Sequence, residues 1–274
     1  MTIQVGNGEV PVVLIHASGS GAQQMKKVAH QLVSAYPSLQ VLIPMLAGYG
    51  GESSTSSPDP IDQHLSVLEH IANQLSRPYL IVGHSMGAFL ALKLAALSGP
   101  KDGLGVAGIV AIEPMAFGVL ADPQDRAARQ EDRDVLARMQ ARMSAGDVSS
   151  GIACFIEYWN QTPWEKIPTV VQTELVASAP QISVEAAAIS ADPTARYAID
   201  APVHLMIGER SPLPAQRIVK RLGETLRSST TEEIPNAGHM SVLRSPEKYV
   251  PGVMGLIRRV LAGPASTGSD TLSG

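Results

Sequence analysis

The clearest regularity along the chain is a set of short, nearly unbroken apolar runs separated by segments of helical spacing. VPVVLIH (10–16), LQVLIP (39–44), YLIVGH (79–84), GIVAIEP (108–114) and APVHLMIGE (201–209) are rich in β-branched residues. Such runs fit strands buried on both faces of a parallel sheet, where neither side of the pleat meets water. Between the first four lie 21–35, 61–76 and 86–98, in which apolar positions return every three or four residues. Strand alternating with helix predicts an α/β fold built on a doubly wound, mostly parallel sheet. A weaker strand, TTEEIP (230–235), and a last helix over 246–261 complete the pattern. Only nine residues precede the first strong strand. The sheet is therefore expected to lack a strand at that edge.

The rhythm breaks between Pro114 and Asp200, where helical composition continues without a convincing strand. This divides the chain into a core, 1–113 with 201–262, and a helical lid inserted over 114–200. Within the insertion, residues 122–145 place Val135, Leu136, Met139 and Met143 on one stripe, with acids early and arginines late as the helix dipole favours. Gly146 is the expected stop. The charges of this run read as a solvated face. Residues 154–164, CFIEYWNQTPW, gather Phe155, Tyr158, Trp159 and Trp164 in a chain otherwise poor in aromatics. Packing is the commoner use of such a cluster, and lining a pocket is the other, with Trp159 and Trp164 best placed to touch a ligand. The small, polar tail at 263–274 has too little apolar side chain to offset its ordering entropy.

Composition narrows the partners. Charged residues are 17% of the 274 and the formal net charge is −4, so no field of one sign is available to attract nucleic acid or an anionic membrane. No apolar stretch approaches the roughly 18 residues of a membrane span, and the N-terminus does not read as a signal peptide. A cytoplasmic protein acting on a small, mostly uncharged molecule is expected. The single cysteine, Cys154, rules out an internal disulfide and a cysteine-based zinc site. It reads as a small buried hydrophobe.

The candidate chemistry lies in LIVGHSMGAFLALKLAAL (80–97), where an apolar strand turns sharply into a helix. Gly83-His84-Ser85-Met86-Gly87 matches G-x-S-x-G, with a strand before it and a helix after it, the context in which such a turn holds its serine out as a nucleophile. From this point the chain resembles the α/β-hydrolase family over nearly all its length. LIHASGSG (14–21), PMLAGYGGES (44–53), GERSP (208–212) and NAGHM (236–240) carry the resemblance with the elbow.

A serine hydroxyl needs a base to take its proton. Of seven histidines, His239 follows the last predicted strand in the loop where the family places its base, and it keeps the chain order serine, acid, histidine. His30, His64 and His70 lie on predicted helices and read as surface groups, and His204 lies within a strand. His16 and His84 flank the expected site, as packed or orienting groups. The acid departs from the family pattern, since Ser211 stands where many relatives carry Asp. Glu113, at the carboxyl end of the strand after the nucleophile strand, faces the rim where ligands bind in such sheets. It is the preferred acid, in a pattern similar to certain esterases and lactonases of the family. Glu209 is its rival, and an unrecognised acid or a working serine–histidine dyad are the remaining options.

The resemblance places the oxyanion donors at the backbone N–H groups of Ser18 and Met86. Met115, Phe117, Trp159, Trp164 and Met240 are the candidate substrate-binding residues, implying an apolar group on the substrate. Together these residues imply a serine hydrolase acting on a small ester, or on a lactone, which opens by the same acyl transfer, with no metal or organic cofactor. Carbon–carbon bond hydrolysis and transfer to another acceptor use the same three groups. A ligand-binding member of the fold without turnover is the non-enzyme alternative.

Overall fold

The computed structural model describes residues 1–50, 57–97 and 105–263. Its centre is a seven-stranded sheet made of β1 (Thr2–Val5), β2 (Val10–Ile15), β3 (Leu39–Pro44), β4 (Tyr79–His84), β5 (Val106–Ile112), β6 (Val203–Gly208) and β7 (Ser229–Ile234). The spatial order is β1-β3-β2-β4-β5-β6-β7, and every pair is parallel except β1 with β3. The short leader does supply a strand at its edge. In β1 only Val5 is buried, so the alternation is too weak to stand out in the sequence.

The apolar runs are continuous because both faces are covered. Val12, Leu14, Leu80, Val82, Val110 and Ile112 point to one side, and Val13, Ile15, Ile81, Ile109, Ala111 and Leu205 to the other. On the first side pack α1 (Gly21–Gln24), α2 (Lys26–Ala35) and, from the end of the chain, α10 (Val250–Ala262). The segment 21–35 is thus two helices that meet at Met25. On the second side pack α3 (Pro60–Ala72), α4 (Met86–Leu97) and α8 (Leu213–Thr225). Asp59 caps α3 by accepting from the Ile61 N–H at 2.8 Å, with Pro60 at the first helical position, where a missing N–H costs nothing. The helix ends at Ala72, short of the expected 76, in a turn closed by Gln74 N–H to Ile71 O.

Between β5 and β6 the chain builds α5 (Arg126–Ser144), α6 (Val148–Asn160) and α7 (Thr169–Ala191). Leu136, Met139, Ile152, Ile156, Leu175, Ala179 and Ile182 form a core of their own between these helices. Buried or half-buried ion pairs fasten this insert to the helices on the sheet: Asp125 accepts from Arg217 Nε at 2.5 Å and from Arg221 Nε at 2.7 Å, and Asp192 from Lys93 Nζ at 2.6 Å. Cys154 is half-buried against the insert's core, with its thiol on the Gly151 carbonyl, rather than sealed inside. Most of the tail read at 263–274 lies outside the described residues. Among those described, no helix is long and apolar enough to cross a membrane. The short α9 (Ser241–Arg244) follows β7 and the loop bearing His239.

Candidate functional site

The sheet changes winding direction between β2 and β4, and the carboxyl ends of these two strands open the crevice where ligands bind in such folds. Ser85 sits there, in the turn from β4 into α4, with φ at 55°. A left-handed backbone costs a non-glycine residue about 1 kcal/mol or more, and the surroundings must impose it. They do so by close approach. A Cβ on Gly83 would lie 2.4 Å from the Gly87 carbonyl oxygen, and one on Gly87 would lie 2.4 Å from that of Ile15. Only glycines let α4 start this close to β2 and β4. The Ser85 N–H is tied to Ile112 O at 2.9 Å, which holds the turn against β5.

His239, in the loop between β7 and α9, brings Nε2 to 3.0 Å from Ser85 Oγ. Its Nδ1 lies 2.7 Å from Glu113 Oε2. The pattern assigns the ring proton to Nδ1, leaving Nε2 to accept from the serine. Glu113 is fully buried, at the end of β5, and it too has a left-handed backbone, with φ at 48°. Its Oε1 accepts from the Gly208 N–H at 3.0 Å and from Ser211 Oγ at 2.8 Å. Burial acts to raise the carboxyl's pKa, but the bond and charge of His239 and the Ser211 hydroxyl outweigh it and hold the group below the ordinary range. The rival acid is elsewhere. Glu209 is exposed and accepts from the Asn236 N–H at 2.7 Å. Ser211 serves as a donor to Glu113.

Two neutral histidines frame these groups. His84 donates from Nε2 to the His239 carbonyl at 2.8 Å, and burial, followed by the charge of His239, lowers its pKa to about 3. His16 accepts from the Leu46 N–H at 3.3 Å and donates to the Ala17 carbonyl at 2.9 Å, and burial lowers it to about 4. Both hold backbone by hydrogen bonds.

The N–H groups of Ser18 and Met86 have no protein acceptor among the described residues. The loop that carries Ser18 is held from behind by a buried polar network that no local sequence pattern announces. Glu185, on α7 and 1% exposed, accepts from Ser18 Oγ, Tyr49 OH (2.7 Å), His64 Nε2 (3.1 Å) and Gln181 Nε2 (2.8 Å). The Tyr49 hydroxyl in turn accepts from the Gly19 N–H at 2.8 Å. His64 is therefore buried, not a surface group, because α3 turns it toward this carboxylate. Burial alone would raise Glu185, but the His64, Ser18 and Gln181 contacts hold it below the usual carboxylate range. The one signal available in the sequence was a lone carboxylate in the apolar stretch ISVEAAAIS.

Ser85 and His239 open into a cavity of about 130 Å³ between the sheet rim and the insert. Met115, Phe117, Trp159 and Met240 line it, and the Trp159 ring stands 5.0 Å from that of His239. Trp164 does not line it. That ring packs on the insert's own core, because Pro163 and the short turn at 164–166 carry it away from the site. Among the described residues, no group of three His, Cys, Asp or Glu side chains is placed to hold a metal ion.

The decisive comparison is with family models, where residues 12–251 match that of the "Alpha/beta hydrolase family". The chain belongs to the alpha/beta hydrolase family. A local sequence match joins it to the lipase LipV of Mycobacterium tuberculosis, 31% identical over 109 residues, which spans 39% of this chain and 38% of the lipase. Among solved structures, an alpha/beta hydrolase from Sphaerobacter thermophilus aligns at a TM-score of 0.71 and 21% identity, covering 94% of this chain and 95% of that one. A thermophilic esterase from Thermogutta terrifontis aligns at 0.70 and 19%, covering 95% and 93%. At such identities the structural likeness concerns the fold.

Proposed function

We propose that this member of the alpha/beta hydrolase family is a serine esterase that cleaves a carboxylic ester of a small, largely apolar substrate through an acyl-enzyme. The observation that carries the reading is the relay of Ser85 Oγ, His239 and Glu113, joined by contacts of 3.0 and 2.7 Å at the mouth of an apolar cavity. His239 Nε2 takes the proton of Ser85 as Oγ attacks the ester carbonyl carbon. The carbonyl oxygen becomes negative between the N–H groups of Ser18 and Met86, a stabilisation worth about 3 kcal/mol per donor in comparable sites. His239 then gives its proton to the departing alcohol oxygen as the carbon–oxygen bond breaks. A water enters, loses its proton to Nε2 and attacks the acyl carbon; the proton passes to Ser85 Oγ as the acid leaves. Glu113 keeps Nδ1 protonated and balances the imidazolium throughout. The insert acts as the lid, supplying Trp159 and the apolar wall.

A serine-directed fluorophosphonate should label Ser85, and Ser85→Ala should abolish both labelling and turnover of p-nitrophenyl acetate. Unchanged ester turnover in the folded variant would end this reading.

A further inference from the structure

Of the polar side chains in the cavity wall that have no part in the acyl transfer above, Asp132 alone is buried. Asp132, on α5, is 4% exposed and lines the same cavity as Ser85 and His239. Its neighbours in that wall are Phe117, Phe155, Ile156, Trp159 and Ile189. Ser190, on α7, donates to Oδ2. Oδ1 accepts no hydrogen bond from any described residue, yet it is not sealed from solvent-sized space. The nearby cations do not satisfy it, since Arg129 gives its guanidinium to the Phe117 carbonyl at 2.8 Å and neither Arg129 nor Arg133 forms an ion pair with the carboxylate. Burial raises the carboxyl to about 6, against the pull of Ser190 and the two arginines.

A carboxylate that is 4% exposed and set in an apolar wall, with one oxygen that has no protein donor and is not sealed, can present that oxygen to a ligand in the cavity. Tying α5 to α7 through Ser190 would require one acceptor atom and no charge. The second oxygen is free for a ligand. A hydroxyl needs a single acceptor, which Oδ1 offers, whereas an ammonium carries three donors that one oxygen in an apolar wall would leave unpaired.

We infer that Asp132 is a specificity-determining residue, accepting a hydrogen bond from a hydroxyl on the part of the substrate that enters the insert. The substrate class is then an ester with an otherwise apolar body that carries a hydroxyl at the depth of Asp132. The inference rests on the esterase reading for its chemistry, but the recognition is separable from it.

The test is a series of p-nitrophenyl ω-hydroxyalkanoates and ω-hydroxyalkyl acetates, each compared with its unsubstituted partner at equal chain length. At the length that reaches Asp132, wild-type kcat/KM should favour the hydroxylated ester by about tenfold or more. Asp132→Leu should bring that ratio near one, and Asp132→Asn, which keeps an acceptor, should retain part of it. No preference at any length, or a preference that survives in Asp132→Leu, overturns the inference. Binding of 1,n-alkanediols against 1-alkanols, followed by tryptophan fluorescence on Ser85→Ala, separates the two readings. Tighter diol binding that is lost with Asp132 upholds the subsite even if no ester is turned over, and equal binding of diols and alcohols rejects it. If Asp132→Leu does not fold, a preference reduced but not abolished in Asp132→Asn upholds the inference, and one equal to wild type overturns it.

Discussion

Replacing Glu113 with glutamine exchanges one carboxylate oxygen for an NH₂ group on a fully buried side chain. The carboxylate lies 2.7 Å from His239 Nδ1, and both groups are buried, so their mutual charge is weakly screened once the imidazolium forms. With charge centres about 4 Å apart and an effective dielectric of about 20, that attraction is about 4 kcal/mol. Since it arises only when His239 is protonated, most of it acts on the transition state, and its loss corresponds to about 10³ in kcat. A second effect adds to this. The glutamine Oε1 would keep the donors at Gly208 N–H and Ser211 Oγ, which turns its NH₂ toward Nδ1 and places the ring proton on Nε2, facing Ser85. The expected result is a folded protein, with a thermal midpoint near wild type, whose kcat falls by about three to four orders of magnitude with little change in KM. Steady-state turnover of p-nitrophenyl acetate, with circular dichroism as the fold control, measures both. A kcat within tenfold of wild type, or a larger loss from Glu209→Gln, would refute the reasoning.

Ser211→Ala removes a hydroxyl donor from the same carboxylate, so kcat should drop about three- to tenfold and the unfolding midpoint in urea should shift by about 1–2 kcal/mol; equal values for both proteins would show that Ser211 is idle. Glu185→Ala leaves Ser18, Tyr49, His64 and Gln181 without their shared acceptor, which should cost about 3–5 kcal/mol of stability and lower kcat more than it raises KM, because the Ser18 loop loses its backing. Denaturant unfolding and the kcat–KM split would test it, a rise in KM alone counting against the loop's role. Stability should also fall with acid. His16 is lowered from 6.5 to about 4 in the folded state, so between those values the unfolded chain binds more protons and stability rises with pH. The contribution is complete at neutral pH and about 3 kcal/mol smaller by pH 4. His84 works in the same direction down to about 3, and the lowered Glu113 and Glu185 add to the loss below the usual carboxylate range. A flat urea stability between pH 7 and 4 would contradict this.

Much of the architecture was legible from neighbouring residues, because strands covered on both faces declare themselves as unbroken apolar runs and helices by a period of three to four, and because a turn as tight as the one at Ser85 admits few residues besides glycine around it. Gly83 and Gly87 announced the elbow, and the order of Ser85, Glu113 and His239 along the chain selected groups that the fold places within hydrogen-bonding distance. The edge strand β1 escaped notice because one buried side chain makes no pattern. What the linear chain left undecided concerns polar side chains whose partners are remote. Ser211 became a donor to Glu113 across 98 positions, His64 met Glu185 across 121, and Trp164 was carried out of the cavity that Trp159 enters. Asp132 looked like one more charge on a solvated helix until α5 turned it inward. Apolar burial follows a local rhythm that any segment displays alone, but a buried polar group is defined by the atoms that satisfy it, and those come from remote parts of the chain and meet only in the tertiary fold.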